Sequence, residues 1–333
     1  MTMTTPMLES EPAPLAVSLP APDHLWAVLL AGGDGIRMQA LTRRITGDSR
    51  PKQFCRIVGG KTLFEQTRSR LEPLFPRSRQ VFVLSRHHEK CHGTHLTEAN
   101  GESALVQPMN RGTGIAMILA VVHILERDPD AVVGFFPCDQ YYSCDDSFRA
   151  TVRSAAESAY EHPDSLIVVG AEADYPEVEY GWVEPEVDVV RSGAGPLSRV
   201  NRFWEKPSLH VARALLHRGC LWNTFVTVGR ATTFLEIFCS QVPQAVISVT
   251  QAITDLTLES GYHLLHAVDF SRDVLTHQTR RLQVLRDRTS GWADLGSPAR
   301  ILDTLMRNGI KPDWVVEQNG LAFNVDEGPG VRP

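Results

Sequence analysis

The sequence lacks several features that would assign it to a specialised class of protein. Its six cysteines are scattered and include no Cys-x-x-Cys pair, so we predict reduced thiols and no disulfides. No apolar run is long enough to span a membrane, and the net charge of −6 offers no basic field for nucleic acid. The N-terminus carries prolines and acidic residues without the basic region of a signal peptide. We therefore expect a cytoplasmic protein whose partners are small molecules.

The overall composition is typical of a globular protein. The chain has 333 residues, of which 43% are hydrophobic and 22% charged, enough for one large domain or two unequal ones. Residues 1–22 are rich in Pro, Glu, Ser and Thr and predict a flexible arm, whereas 311–333 form an unpatterned tail. Between them, apolar strands such as 80–85 alternate with helical segments. This βαβ order predicts a sheet covered by helices, with further strands expected over 55–61 and near Val268.

A glycine-rich loop follows the first apolar run. The run begins at Leu25 and stops at Gly32, Gly33 and Gly35, where backbone N–H groups are free to converge on a phosphate. The loop lacks the third glycine of the dinucleotide fingerprint and the Gly-Lys-Ser/Thr ending of a Walker loop. Taken alone, it is equally compatible with an ordinary turn between a strand and a helix. Arg37 and Lys52 follow closely enough to add charge to the same phosphates.

Polar residues also follow later strands, where ligands of open α/β sheets bind. The loop Asn110–Gly114 comes after a short strand, and Asp139 comes directly after the apolar run 131–136. Asp294 lies between two glycines on what we predict to be a tight loop. Each aspartate is a candidate ligand of a divalent cation. The alternatives are a helix N-cap for Asp139 and an ordinary turn residue for Asp294.

Two further segments leave alternatives open. Trp182, Trp204 and Trp222 lie in aromatic, amide-rich strand ends that suit a sugar, although each tryptophan alone is better explained as core. The segment His87–His95 holds several potential metal ligands at helical spacing, but a solvated helix or loop explains it better than a zinc site does.

Together these segments resemble the sugar-1-phosphate nucleotidyltransferases, and most closely the mannose-1-phosphate guanylyltransferases. The matching segments occur in the family's order between Leu25 and Arg307: LLAGGDGIRM, RPKQF, NRGTGIA, FFPCDQYY, YGWVEP, FWEKP, LWNTFV and GWADLG. The resemblance implies an α/β fold with a Rossmann-like mixed, mostly parallel sheet flanked by helices. It also implies one domain over 23–310, with a nucleotide half of about 23–165 and a sugar-phosphate half of about 166–310.

The resemblance further implies a role for each motif. The implied triphosphate loop consists of Gly32, Gly33 and Gly35, with the catalytic cations Arg37 and Lys52. The implied base and ribose pocket consists of Asn110, Gly112 and Thr113. The implied Mg²⁺ site is the catalytic Asp139 with Asp294, and the implied sugar-phosphate site is Gly181, Glu205 and Asn223 with the catalytic Lys206.

The implied reaction is attack of a sugar-1-phosphate oxygen on the α-phosphorus of a nucleoside triphosphate, with pyrophosphate leaving. GTP and mannose-1-phosphate are the favoured substrates, and Mg²⁺ is the implied cofactor. We expect transferase activity only, because 333 residues leave no room for the isomerase domain of longer relatives. A homodimer is compatible with the sequence.

Two departures from the family pattern keep other functions open. Ile36 stands where the family usually has Thr or Ser before the arginine, and the segment 271–277 lacks the family's tyrosine and Glu-Lys pair. One alternative is the same reaction with UTP, dTTP or CTP, or with glucose-1-phosphate. The other is a non-catalytic regulatory subunit that binds a nucleotide sugar.

Overall fold

The structure is a computed structural model that describes residues 24–91, 104–186, 197–254 and 261–315. The predicted arm, residues 92–95 of the histidine-rich segment and most of the predicted tail lie outside these ranges. The strands are β1 (Leu25–Leu30), β2 (Gln80–Ser85), β3 (Ala104–Gln107), β4 (Val132–Pro137), β5 (Gln140–Tyr142), β6 (Leu166–Glu172), β7 (Gly181–Pro185), β8 (Leu197–Glu205), β9 (Leu221–Arg230), β10 (Leu282–Asp287) and β11 (Trp292–Asp294). The α-helices are α1 (Gln39–Thr46), α2 (Leu63–Leu71), α3 (Gly112–Leu125), α4 (Asp145–Glu161), α5 (Leu209–His217), α6 (Ala231–Gln241), α7 (Pro243–Thr254) and α8 (Pro298–Arg307).

The main sheet of the described residues has nine strands in the order β3-β2-β1-β4-β9-β6-β10-β8-β7. Strands β1 to β4 are mutually parallel, as are β6 and β10. Strand β9 runs antiparallel to its neighbours β4 and β6, and β8 runs antiparallel to β7 and β10. All strands of this sheet except β8 and β9 therefore point the same way. The predicted α/β fold with a mixed, mostly parallel sheet is confirmed.

Helices cover both faces of the sheet, which explains why β1 is apolar throughout. Val28 packs into a core with α3 and α6, whereas Ala27 and Leu29 pack into a second core with α2 and α4. Since successive strand side chains point to opposite faces, a strand buried on both sides reads as a continuous apolar run. None of the helices in the described ranges is long and apolar enough to cross a membrane.

Three local expectations are wrong. Residues 55–61 form no strand; their apolar side chains instead pack with Met38 and Ile301 in a separate cluster. Val268 also lies in irregular backbone, where its carbonyl accepts the Gly114 N–H at 2.8 Å. Asp294 is not on a tight loop, because it ends β11, which pairs with β5. In each case a tertiary contact, invisible in the local sequence, decides the backbone conformation.

Gly112 is required where 266–269 crosses the start of α3. Its φ is +83°, and a Cβ there would lie 2.3 Å from the Val268 carbonyl oxygen. We expect Gly112→Ala to lower the free energy of unfolding by about 2–4 kcal/mol, through backbone strain and overpacking together. Gly219→Ala is the matched control, since Gly219 has φ +70° but open space around it. Its expected cost is about 1 kcal/mol, and equal losses for both variants in urea denaturation would contradict the predicted clash.

Candidate functional site

A cleft of about 370 Å³ opens at the carboxyl ends of β1, β3 and β4. This is the edge at which parallel α/β sheets bind ligands. Its wall also includes Phe225 and Asp269, so later parts of the chain complete it. The residues predicted from sequence that line this cleft are Gly32, Gly33, Asn110, Gly112, Thr113, Asp139 and Asp294.

The glycine loop rests on the segment that contains Lys52. The buried Gln53 donates from Nε2 to the carbonyl oxygens of Ala31 at 2.9 Å and Gly33 at 2.8 Å. Gly35 has φ +58°, and a Cβ there would lie 3.5 Å from the Lys52 backbone nitrogen. The two sequence motifs therefore form one structural unit, in which Gln53 holds the loop carbonyls from behind. Sequence reasoning assigned no role to Gln53.

Lys52 lies between the two carboxylates that were predicted to bind a metal. Its Nζ is 3.3 Å from Asp139 Oδ2 and 3.9 Å from Asp294 Oδ1, and only 7% of its side chain is exposed. The two carboxylates are far apart in sequence, but both lie close to the ammonium group of Lys52. The described residues contain no group of three or more His, Cys, Asp or Glu side chains that could hold a metal. A cation held by this pair would need further oxygen ligands from phosphates or water.

The small β5–β11 ribbon brings Asp294 beside Asp139. Asp294 pairs in register with Gln140, the residue after Asp139. Gln140 accepts the Trp292 indole N–H at 2.9 Å and donates to the Thr224 carbonyl at 2.9 Å. This buried amide therefore links the ribbon to β9. Its position one residue after a predicted ligand was the only available signal for its role.

The segment 110–114, predicted as a loop, enters α3 at Gly112 and is tied to its neighbours by hydrogen bonds. Asn110 accepts the Gly112 N–H at 2.9 Å and donates to Asp34 Oδ2 at 3.1 Å, so it connects the two loops that border the cleft. Thr113 Oγ1 accepts the Phe270 N–H at 3.0 Å. These contacts fix the start of α3, where the Gly112 and Gly114 N–H groups are already bonded within the chain, so it is the dipole of the helix that favours an anionic ligand here.

Gln107, which sequence reasoning missed, ends β3 in the wall of the cleft. Its Oε1 accepts the Tyr262 hydroxyl at 2.5 Å, which assigns Nε2 as a donor. A Cβ on Gly32 would lie 3.0 Å from that nitrogen, so the amide faces the glycine loop. The cleft therefore offers a fixed donor beside the loop.

The predicted sugar-binding residues lie together on one face of β7, β8 and β9. A Cβ on Gly181 would lie 3.1 Å from Glu205 Oε2 and 3.3 Å from Asn223 Cβ. Burial, reinforced by the nearby Asp269 carboxylate, raises the pKa of Glu205. Trp182 and Trp222 are buried on the opposite face, so both belong to the core.

None of the three predicted cations lines the cleft wall: Lys52 is buried against Asp139 and Asp294, whereas the other two are exposed. Arg37 is 67% exposed and pairs with Glu179 at 2.9 Å, so a phosphate contact requires its side chain to leave that partner. Lys206 is exposed and has φ +45°. Phe225, in the cleft wall, also has a positive φ, +67°. Such strained backbone persists only where the surroundings impose it, and it is concentrated at functional sites.

Residues 26–308 match the family model described as nucleotidyl transferase, and the chain belongs to that family. The resemblance inferred from the motifs is therefore confirmed at the family level. Among its relatives is the mannose-1-phosphate guanylyltransferase of Sinorhizobium fredii, 27% identical over 81% of this chain and 52% of that relative. The mannose-1-phosphate guanylyltransferase of Escherichia coli K12 is also 27% identical, over 83% of this chain and 59% of that relative.

These curated relatives are longer proteins, of which the chain spans between half and three fifths of the length. Among solved structures, a protein described as mannose-1-phosphate geranyltransferase from Thermus thermophilus superposes with a TM-score of 0.72 at 28% identity. The match covers 82% of this chain and 76% of that one. A UDP-glucose pyrophosphorylase complexed with UDP-glucose has a TM-score of 0.56 at 15% identity, covers 84% of this chain and 97% of that one, and shows the fold alone.

Proposed function

We propose that this protein joins a nucleoside triphosphate to a sugar-1-phosphate and releases pyrophosphate. The observation that carries the proposal is the convergence of Lys52, Asp139 and Asp294 beside the glycine loop. GTP and mannose-1-phosphate are the favoured substrates, with GDP-mannose as the product. The support for this choice is the Pro-Lys-Gln-Phe segment and the names of the relatives.

The charges of the reactants define what the site must do. A sugar-1-phosphate oxygen attacks the α-phosphorus in line, and both reactants are anions that repel each other. The attacking phosphate is already ionised at neutral pH, since its second pKa is about 6, so no general base is needed. Catalysis therefore depends on positioning and on positive charge.

The chain's own groups meet these requirements from two sides. Backbone N–H groups of the glycine loop bind the phosphates, and Lys52 adds a buried positive charge beside them. Asp139 and Asp294 would hold Mg²⁺, which when bound supplies further positive charge to the phosphate oxygens. Glu205, with Gly181 and Asn223, binds sugar hydroxyls, whereas Lys206 binds the sugar phosphate.

The choice of base needs a direct test. The Gln107 amide offers a donor to a base carbonyl oxygen, a group that guanine, uracil, thymine and cytosine all carry and that adenine lacks. Pyrophosphate release should therefore be measured with GTP, ATP, UTP, dTTP and CTP, each with mannose-1-phosphate and glucose-1-phosphate. Release restricted to GTP with mannose-1-phosphate would support both proposed substrates. Release with another pair would replace the substrates and keep the reaction, whereas no release from any pair would overturn the reaction.

Lys206→Ala is expected to raise KM for the sugar phosphate about tenfold, with a smaller change in kcat. The physical reason is that a surface cation attracts the bound phosphate without contacting the reacting phosphorus. Steady-state kinetics with varied sugar phosphate measures the effect. Lys206→Arg keeps the charge, so its KM should lie between those of the wild type and Lys206→Ala. An unchanged KM in Lys206→Ala would remove the lysine from the sugar-phosphate site.

A further inference from the structure

Arg300 connects the cleft to the loop between β6 and β7. It lies on α8, and only 17% of its side chain is exposed. Its Nη1 donates to Asp294 Oδ2 at 2.8 Å, and its Nη2 pairs with Glu177 Oε2 at 2.7 Å. The guanidinium carbon also lies 4.5 Å from the centre of the Tyr180 ring. These contacts fix the guanidinium in both position and orientation.

Glu177 is held in place by hydrogen bonds that do not involve Arg300. Its Oε1 accepts the backbone N–H groups of Val178 and Glu179, both at 2.8 Å. Only 11% of the Glu177 side chain is exposed. The position of the Glu177 carboxylate is therefore set by the backbone of its own loop, and the carboxylate in turn fixes the position of Arg300. Because Glu177 balances the charge of Arg300, the pair adds little net positive charge that would repel a cation near Asp294.

The arrangement selects which oxygen of Asp294 faces the cleft. Asp294 Oδ2 accepts from Arg300 and from the Gly296 N–H at 3.0 Å, whereas Oδ1 lies 3.9 Å from Lys52 Nζ. Gly296 is required for this contact. A Cβ there would lie 2.4 Å from Asp294 Oδ2 and 3.0 Å from Arg300 Nη1.

We propose that Arg300, anchored by Glu177, is a positioning residue that turns Asp294 Oδ1 toward the cation of the reaction. The inference rests on the proposed function, because it assigns Asp294 to a divalent cation. Groups that orient a metal ligand typically change metal affinity or activity about 10- to 100-fold when they are removed. The same range is expected here for loss of the guanidinium.

The test compares Arg300→Gln and Glu177→Gln with Arg307→Gln. Arg307 is a matched control because it lies on the same helix and pairs with Asp174 of the same loop, without contacting Asp294. Mn²⁺ affinity is measured by electron paramagnetic resonance with and without GTP, and kcat by pyrophosphate release. We expect Arg300→Gln to weaken Mn²⁺ binding and to lower kcat, each at least about tenfold. Glu177→Gln should have a smaller effect in the same direction, Arg300→Lys should be intermediate, and Arg307→Gln should stay within about twofold of wild type.

The outcomes separate the two proposals. Equal Mn²⁺ affinity in Arg300→Gln and Arg307→Gln would overturn the positioning role. If Arg300→Gln does not fold, Arg300→Lys decides the matter, because it keeps the positive charge but cannot make both contacts of the guanidinium, and unchanged Mn²⁺ affinity in that variant would overturn the positioning role. A wild type that binds Mn²⁺ in an Asp294- and Arg300-dependent manner but never releases pyrophosphate would overturn the proposed function alone. If Asp294→Asn leaves Mn²⁺ binding unchanged, or if the wild type does not bind Mn²⁺, the positioning role is overturned as well.

Discussion

Asp139→Asn is expected to lower kcat about 100- to 1000-fold while leaving the fold intact. The amide keeps the shape of the side chain but removes the negative charge that attracts a divalent cation. Asp139 is 42% exposed at the end of β4, so the substitution disturbs no core packing. The loss should appear in kcat and kcat/KM alike, because the interaction is strongest in the transition state.

The matched control for this variant is Asp146→Asn. Asp146 is 92% exposed in the first turn of α4 and pairs with Arg149, away from the cleft. It should keep wild-type turnover, and both variants should have the thermal midpoint of the wild type within a few degrees. Wild-type kcat in Asp139→Asn would remove this carboxylate from the mechanism.

Lys52→Met is expected to change two measured quantities in opposite directions. Turnover should fall about 100-fold or more, because a buried positive charge beside the phosphates is lost. Divalent cation binding should tighten, because Lys52 Nζ lies 3.3 Å and 3.9 Å from the two carboxylates and opposes a second cation there. Methionine keeps most of the side-chain length, so the effect reports the charge rather than a cavity.

Mn²⁺ titration and pyrophosphate release, both on Lys52→Met, measure the two effects. Lys61→Met is the control, because Lys61 is an exposed lysine whose Nζ donates to Ser69 at 3.2 Å and not to Asp139 or Asp294. It should change neither quantity. If Mn²⁺ binding in Lys52→Met is weakened together with turnover, the lysine supports the cation site instead of competing with it.

Elements whose two ends carry local signals could be predicted closely from the sequence. Helix α5 (Leu209–His217) has such signals at both ends, because Ser208 caps its start and Gly219, at φ +70°, follows its end. Helix α2 similarly begins after the capping box of Thr62 and Glu65. The stretch 55–61 has no such signal. Its apolar residues are needed for packing against α8, which the local pattern does not reveal.

The same distinction applies to the candidate site. Asp139 and Asp294 could be proposed from sequence because each follows an apolar or glycine-rich marker. Arg300 could not, because a single arginine on an amphipathic helix is ordinarily a solvated residue. Its partner Glu177 is more than a hundred positions away, and only the fold brings them within 2.7 Å. The converse holds for Arg37, whose motif predicts a phosphate contact while its side chain pairs with Glu179.

The measurement that tests the central claim most directly follows both products from GTP and mannose-1-phosphate with Mg²⁺. Purified wild type and Asp139→Asn are compared by ³¹P nuclear magnetic resonance. We predict equal amounts of GDP-mannose and pyrophosphate from the wild type, formed only when both substrates are present, and almost none from the variant. Inorganic phosphate without a nucleotide sugar, or equal product from the two proteins, would contradict the proposed reaction and its site.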